Sequence, residues 1–332
     1  MRALMLLLAL SLSPAIADDG AASIAAGGLV MKRETRIIMA KEVLAISVNK
    51  VTVDYDFRND TDADIATEVA FPIPPYSTGT DERPTKELRF DDFRLWVNRQ
   101  PVHYSVDIRA LVGTHDVTQS VERNHLSLTN FGKEPFGETE IDQIAKLPPN
   151  QRANLIKQGI LTHGEYGDNA NWTVHERYYW SQTFPSHATV HIRHEYTPVL
   201  GYSQVSPEIL DPAALRKAHD ATQAAEIRFN RDEFTSLCPS PAAVEKLRHT
   251  NGIIEPVWVD FILTTANTWK RPIEDFTLIV ERTDPRDTVS FCWDGPVEKL
   301  DANHFQAHAA NLIPTHELRI GFYHLDTRFN QP

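Results

Sequence analysis

Cysteine, glycine, basic charge and long apolar runs are all scarce in this chain of 332 residues. Two cysteines are too few for a disulfide-rich scaffold or an all-cysteine zinc centre. Fourteen glycines beside 21 prolines exclude collagen-like and low-complexity chains. A formal charge of −12 argues against a dedicated nucleic-acid binder, whose surface carries a basic footprint. What is present is ordinary for a folded chain: 42% hydrophobic and 23% charged residues, enough for one large domain or two smaller ones.

The longest apolar stretch stands at the start. Arg2, the run Ala3–Leu12 and the small-x-small pattern Ala15-Ile16-Ala17 predict a secretory signal peptide over Met1–Ala17, cleaved before Asp18. The run is shorter than the roughly 20 residues that span a bilayer. No cysteine follows it to accept a lipid, and no later stretch is apolar enough to span. The expected location is periplasmic or secreted. Such a compartment permits disulfides, and two cysteines allow one intramolecular pair, Cys238–Cys292. Chain entropy puts that bond at roughly 4 kcal/mol. Two separate buried thiols are the alternative. Cys292 lies in the apolar run Val289–Trp293, away from any helix start, which speaks against a catalytic thiolate.

The dominant hydrophobic period is two. Val51, Val53, Tyr55 and Phe57 alternate with Thr52, Asp54, Asp56 and Arg58, the pattern of a half-buried strand. Ile65, Thr67, Val69 and Phe71 alternate again, until Phe71-Pro72-Ile73-Pro74-Pro75-Tyr76 ends the strand, because proline donates nothing to a ladder. Phe93, Leu95 and Val97 lead through a hairpin at Asn98-Arg99-Gln100-Pro101 to Val102, Tyr104, Val106 and Ile108. Further strands are predicted over 174–180, 189–196, 257–265, 276–281, 289–293 and 317–322. Helical signals come as two inserts. The first covers 138–160, with Thr139 as a cap and a second helix stopped by Gly159; a loop is expected over 162–171. In the second, 207–252, Asp211-Pro212 starts one helix and Ser240-Pro241 another, which stops at Asn251-Gly252. The predicted fold is mainly β, an antiparallel β-sandwich with short helical inserts. Its two β units are an N-terminal one at 18–206 and a C-terminal one at 253–332.

Candidate chemistry is sparse. His187, His191 and His194 form the densest group among 14 histidines. On a strand, His194 shares a face with Val190, Ile192 and Tyr196, whereas His191 falls on the other with Arg193 and Glu195, so they do not meet at one metal. His304, His308 and His316 fit no ligand motif. Asp60, Asp62 and Asp64 faintly resemble a calcium loop but lack its glycine and terminal glutamate. No Gly-x-Ser-x-Gly elbow or Ser-x-x-Lys signature occurs. Carboxylate pairs such as Asp54/Asp56, Asp91/Asp92 and Glu138/Glu140 read as solvated faces, and Gly27-Gly28 has no phosphate-loop context. No cofactor is implied. Tyr178, Tyr179 and Trp180 offer an aromatic strip: one set of alternating rings packs the core, and the other is a candidate surface for a protein or glycan partner.

Several blocks stand in a recognisable order: Asp19–Leu29 after the cleavage site, Lys41–Leu44, Val53–Asp60, Glu68–Tyr76, Tyr178–Pro185, Thr264–Lys270 and Phe291–Gly295. Together they resemble the bacterial exported family called domain of unknown function 4424, over essentially the whole mature chain. That resemblance implies a signal peptide and supplies no catalytic residues. Val51–Tyr76 is also similar to the vault/inter-alpha-trypsin-inhibitor domain, which implies an interaction role. The sequence thus points to a non-catalytic binding module of the cell envelope, with no nucleic-acid partner and no membrane span. The other reading is a hydrolase or metal-dependent enzyme using His and Asp/Glu residues.

Overall fold

Alternation becomes burial along the strand Val51–Asn59, where Val51, Val53, Tyr55 and Phe57 are buried and Asp54, Asp56 and Arg58 are half-buried on the opposite face. The computed structural model describes residues 20–25, 28–77, 91–129, 140–164, 167–250 and 252–326. The expected signal peptide and its expected cleavage site at Ala17 and Asp18, together with Gly27, Glu138 and Asn251, lie outside them.

The strand sits within an eight-stranded sheet. From edge to edge this sheet runs Val297–Lys299, His304–Leu312, Ile273–Glu281, Ile37–Ile46, Val51–Asn59, Ala188–Thr197, Asp91–Val97 and Gln100–Pro101. Neighbours are antiparallel except Ile273–Glu281, which runs parallel to Ile37–Ile46. The hairpin expected at Asn98-Arg99 is present, with both residues at positive φ (49° and 67°), as a tight primed turn requires. A seven-stranded antiparallel sheet carries Thr173–Phe184 at its middle, flanked by Ser105–Val112 and Ile65–Pro72. A four-stranded antiparallel sheet runs Leu200–Tyr202, Ile253–Phe261, Leu318–Asp326 and Thr288–Phe291.

Rings from the first two sheets interdigitate. Phe57 meets Phe184 at 5.7 Å, and Phe93 meets Tyr178 at 4.4 Å between ring centroids. Fully buried His194 stacks on Phe71 at 5.0 Å, with Tyr55, Phe93 and Trp180 around it. This is the sandwich core. One face of the four-stranded sheet adds Val259, Phe261, Leu318, Ile320 and Phe322 to the same core. Its other face, with Ile254, Trp258 and Tyr323, packs against Phe234, Leu237 and Leu247 of the helical layer. The helices there are Ala221–Ser236 and Pro241–Arg248, capped by the side chains of Asp220 and Ser240. Cys238 and Cys292 form a disulfide, with Cα atoms 5.1 Å apart, that ties this layer to the sheet.

Four expectations change. The boundary between residues 206 and 253 does not separate two β units, because Ile273–Glu281 hydrogen-bonds to Ile37–Ile46 within one sheet and the main core spans both segments. The helix expected from Asp211 is divided. Residues Ala214–Lys217 form one turn, Ala218 is extended, and Asp220 starts a new helix by accepting the Gln223 N–H. The loop over 162–171 contains a small hairpin, Leu161–His163 with Asp168–Ala170. The central strand Ile37–Ile46 has no counterpart among the sequence-based strands; it is interrupted at Met39–Lys41 by a bulge that blurs its period.

Candidate functional site

The two ends of the eight-stranded sheet are built differently. At one end, fully buried Asn59 uses its whole amide. Nδ2 donates to the carbonyls of Ala63 and Phe184 at 2.9 Å each, and Oδ1 accepts from the N–H and hydroxyl of Thr61. Glu317 accepts the N–H groups of Leu263 and Thr264 and the Thr264 hydroxyl. Every donor and acceptor in that set is matched, and the end is closed.

At the other end, the turn Ser47–Lys50 joins two strands, and two segments cross to the four-stranded sheet. Pro198-Val199 leads from Ala188–Thr197 to Leu200–Tyr202, and residues 282–287 lead from Ile273–Glu281 to Thr288–Phe291. Proline donates no N–H, and beyond the Arg282 N–H, which donates to the Asn303 carbonyl, the two segments add no ladder pair, so the layers are bridged without being filled. Cavities of about 250 and 400 Å³ flank Pro198 and Leu200, which line both.

The smaller cavity is walled by Pro74, Pro75 and Tyr76 on one side and Trp258, Asp260 and Arg319 on the other. Gly201 passes so close to the Trp258 indole that a Cβ would fall 1.8 Å from a ring carbon, so glycine is required for the approach. The Arg319 guanidinium lies 5.5 Å from the Trp258 ring centroid and donates twice to Asp260, at 2.6 and 3.1 Å. That carboxylate raises the arginine further above its ordinary value. Behind Tyr76, buried Glu176 accepts the hydroxyls of Tyr76 and Tyr178, an arrangement that fixes the tyrosine wall.

The larger cavity is lined by Val257 and Phe322 together with Asp287 and His324. Register explains the last pair. Thr288 lies opposite Tyr323, so Asp287, one residue earlier, arrives beside His324. His324 Nδ1–H donates to Asp287 Oδ1 at 2.8 Å. Asp287 is 8% exposed, and burial pushes its carboxyl up more strongly than the His324 hydrogen bond pulls it down. Asp284 approaches from the same turn; the Arg286 guanidinium holds its carboxyl well below the usual range. Apolar walls with a few converging polar groups of shifted pKa are the usual make-up of a ligand site. A depression of about 440 Å³ near Arg109 and Arg123 is less suited: Arg109 is already paired with Asp107 and Asp116, and Arg123 donates to the Gln119 carbonyl.

None of the histidines, carboxylates or strip aromatics weighed as site candidates from the sequence lines either cavity. His191 contacts Asp54 and Asp56 on the outer face, His187 bonds Asp62, and His194 is buried with the rings, as the period of two requires. His304, His308 and His316 have separate partners in Asp301, Asp275 and Thr315. Asp60 pairs with Arg58, and Asp64 accepts the Ser186 N–H, so the Asp60/Asp62/Asp64 set is spent on three separate contacts. Tyr178 and Trp180 are buried between the sheets, and half-buried Tyr179 packs against the small cluster of Ala22, Leu29 and Ala70. One set of rings is thus core, as the alternation requires, and the ring on the other face, Tyr179, is only partly covered. Asp284, Asp287 and His324 were missed, since 37 residues separate Asp287 from His324 and only sheet register joins them.

Comparisons with known proteins bear on the family more than on the site. No curated protein matches the chain. Among solved structures, a candidate nutrient binding protein from Legionella pneumophila is 14% identical, with a TM-score of 0.43, over 87% of this chain and 68% of that one. Yeast LTA4 hydrolase in complex with Bestatin is 8% identical, with a TM-score of 0.31, over 86% of this chain and 28% of that one. A family model matches residues 17–320. The likeness of Val51–Tyr76 to the vault/inter-alpha-trypsin-inhibitor domain is not borne out. With a match over nearly its whole length, on the blocks that first suggested it, the chain belongs to the family described as Domain of unknown function (DUF4424).

Proposed function

We propose that this chain is an exported, periplasmic or secreted, non-catalytic binding module that takes a small envelope component, such as a sugar, at the crossover Thr197–Leu200. The observation that carries the reading is the pair of cavities sharing Pro198 and Leu200 as a common wall. Their volumes suit a small ligand better than a protein face. With Tyr178 and Trp180 buried, half-buried Tyr179 is the one ring of that strip left toward a partner, a small area for a protein face. Among the described residues no helix is long and apolar enough to cross a membrane. A metal-dependent enzyme gains one supporting observation, the convergence of Asp284, Asp287 and His324.

The test is a thermal-shift screen of sugars, amino acids and short peptides on the mature chain, repeated with Leu200→Trp, whose larger side chain crowds the wall that the two cavities share. At least one sugar should raise the Tm of the wild type by about 3 °C or more at saturating concentration, as mass action demands. The same compound should leave Leu200→Trp unmoved while its circular dichroism stays native. No shift from any compound, or an equal shift in the variant, overturns the reading. N-terminal sequencing of the protein from an envelope extract should begin at Asp18; an intact Met1 in the soluble cell fraction overturns export.

A further inference from the structure

We infer that Asp284, Asp287 and His324 form a site for one first-row divalent cation, Zn²⁺ in preference to Mn²⁺, at the mouth of the larger cavity. One ligand atom from each of the three lies within 4.8 Å of the others. Among the described residues no second group of three His, Cys, Asp or Glu side chains comes as close. Bonds of about 2.0–2.2 Å to zinc place ligand atoms about 3–4 Å apart, so side-chain rotation of an ångström or so completes the set. An imidazole with two carboxylates matches the borderline softness of zinc, and three protein ligands leave a coordination position open.

The backbone prepares the site. The Arg286 N–H donates to Asp284 Oδ1 at 2.9 Å, and the Asp287 N–H donates to the Asp284 carbonyl at 3.0 Å. These bonds hold both carboxylates on one tight turn. The ladder then sets His324 beside that turn. Two carboxylates at close quarters, one of them in an apolar wall, repel each other unless a cation lies between them. Arg286 supplies part of that charge now. Its side chain is 79% exposed and swings into solvent at little cost when a dication takes its place. The other histidine–carboxylate contacts differ: His187–Asp62 and His308–Asp275 each join one histidine to one carboxylate on an open surface, and His191 with Asp54 and Asp56, like His304 with Asp301 and Glu281, meets its two carboxylates through opposite ring nitrogens. The open position faces a cavity of about 400 Å³, with room for water or for an oxygen of a bound molecule.

The mature chain, purified without a histidine tag and stripped with chelator, is titrated with Zn²⁺ by calorimetry and assayed for bound metal. One ion per chain is expected, with micromolar or tighter affinity. Asp287→Asn and His324→Gln should each weaken it by at least about 100-fold, since a lost ligand costs more than the 10- to 100-fold of a lost outer-shell partner. His308→Gln, on an exposed pair far from the turn, should bind as the wild type does. Arg286→Gln removes the competing cation and should tighten binding, which keeps the inference testable if either ligand variant misfolds. Substoichiometric zinc in the wild type overturns it, as does binding by His324→Gln equal to the wild type, or binding by Arg286→Gln weaker than it.

Discussion

The closed and open ends of the eight-stranded sheet use the same kinds of residue to opposite effect. At the closed end Asn59 and Glu317 are satisfied largely by backbone groups fixed in place, and the buried carboxylate of Glu34 takes the Arg36 N–H together with the half-exposed Arg36 guanidinium. At the open end Asp287 and His324 satisfy each other at the wall of a cavity, and Asp284 beside them takes the exposed Arg286 guanidinium. A polar group with a complete set of rigid partners adds stability and offers nothing to a ligand. A polar group whose partner is another ionisable side chain beside open space is available for exchange. The comparison teaches where stability ends and a binding site begins in one continuous sheet.

The largest expected effect tests the closed end. Asn59→Ala strands the Ala63 and Phe184 carbonyls and the Thr61 donors, and should cost about 3 kcal/mol in urea unfolding. A cost under about 1 kcal/mol would mean that water replaces the amide and that this end is not closed. Next is acid sensitivity. The Arg36 hydrogen bond holds the Glu34 carboxyl below its ordinary value of 4.5. A lowered folded-state pKa contributes stability that is complete above the unfolded value and is lost as pH falls through the folded one. Glu34→Gln should therefore lower stability by about 1 kcal/mol at pH 7, a charged hydrogen bond discounted for the exposure of Arg36, and by less below pH 4. An unchanged pH profile would remove Glu34 from the closed end. The smallest effect belongs to the open end: in chelator, Asp287→Asn keeps an acceptor for His324 and removes a carboxyl whose burial disfavours its charge, so it should shift stability by less than about 1 kcal/mol. A loss as large as that of Asn59→Ala would make this pair structural and erase the contrast between the ends.

Much of the scaffold was legible because strand period is local. The alternation from Val51 to Phe57 and from Val190 to Tyr196 told which side chains face inward, and separated His194 from His191 before any coordinates. Ser240-Pro241 read correctly as a helix start, since a hydroxyl cap followed by proline is a contact within three residues. Asp211-Pro212 misled because a second cap, Asp220, lay nine residues on and competed for the same chain. The strip at Tyr178–Trp180 was legible in part: alternation sent Tyr178 and Trp180 to one face and Tyr179 to the other. A single strand reveals which residues share a face, but not whether a second sheet or a small cluster covers the other.

The sequence by itself determined the mainly β class, the pairing of its only two cysteines and the inward faces of most strands, because each follows from spacing within a few residues or from elimination. The tertiary structure decided that one sheet draws strands from both halves of the chain. It also decided that Pro198 and Leu200 divide two cavities and that Asp287 meets His324. Those facts depend on register between segments far apart in sequence. A shift of one residue in either ladder would send the histidine to the other face, and no local pattern records which register the packing selects.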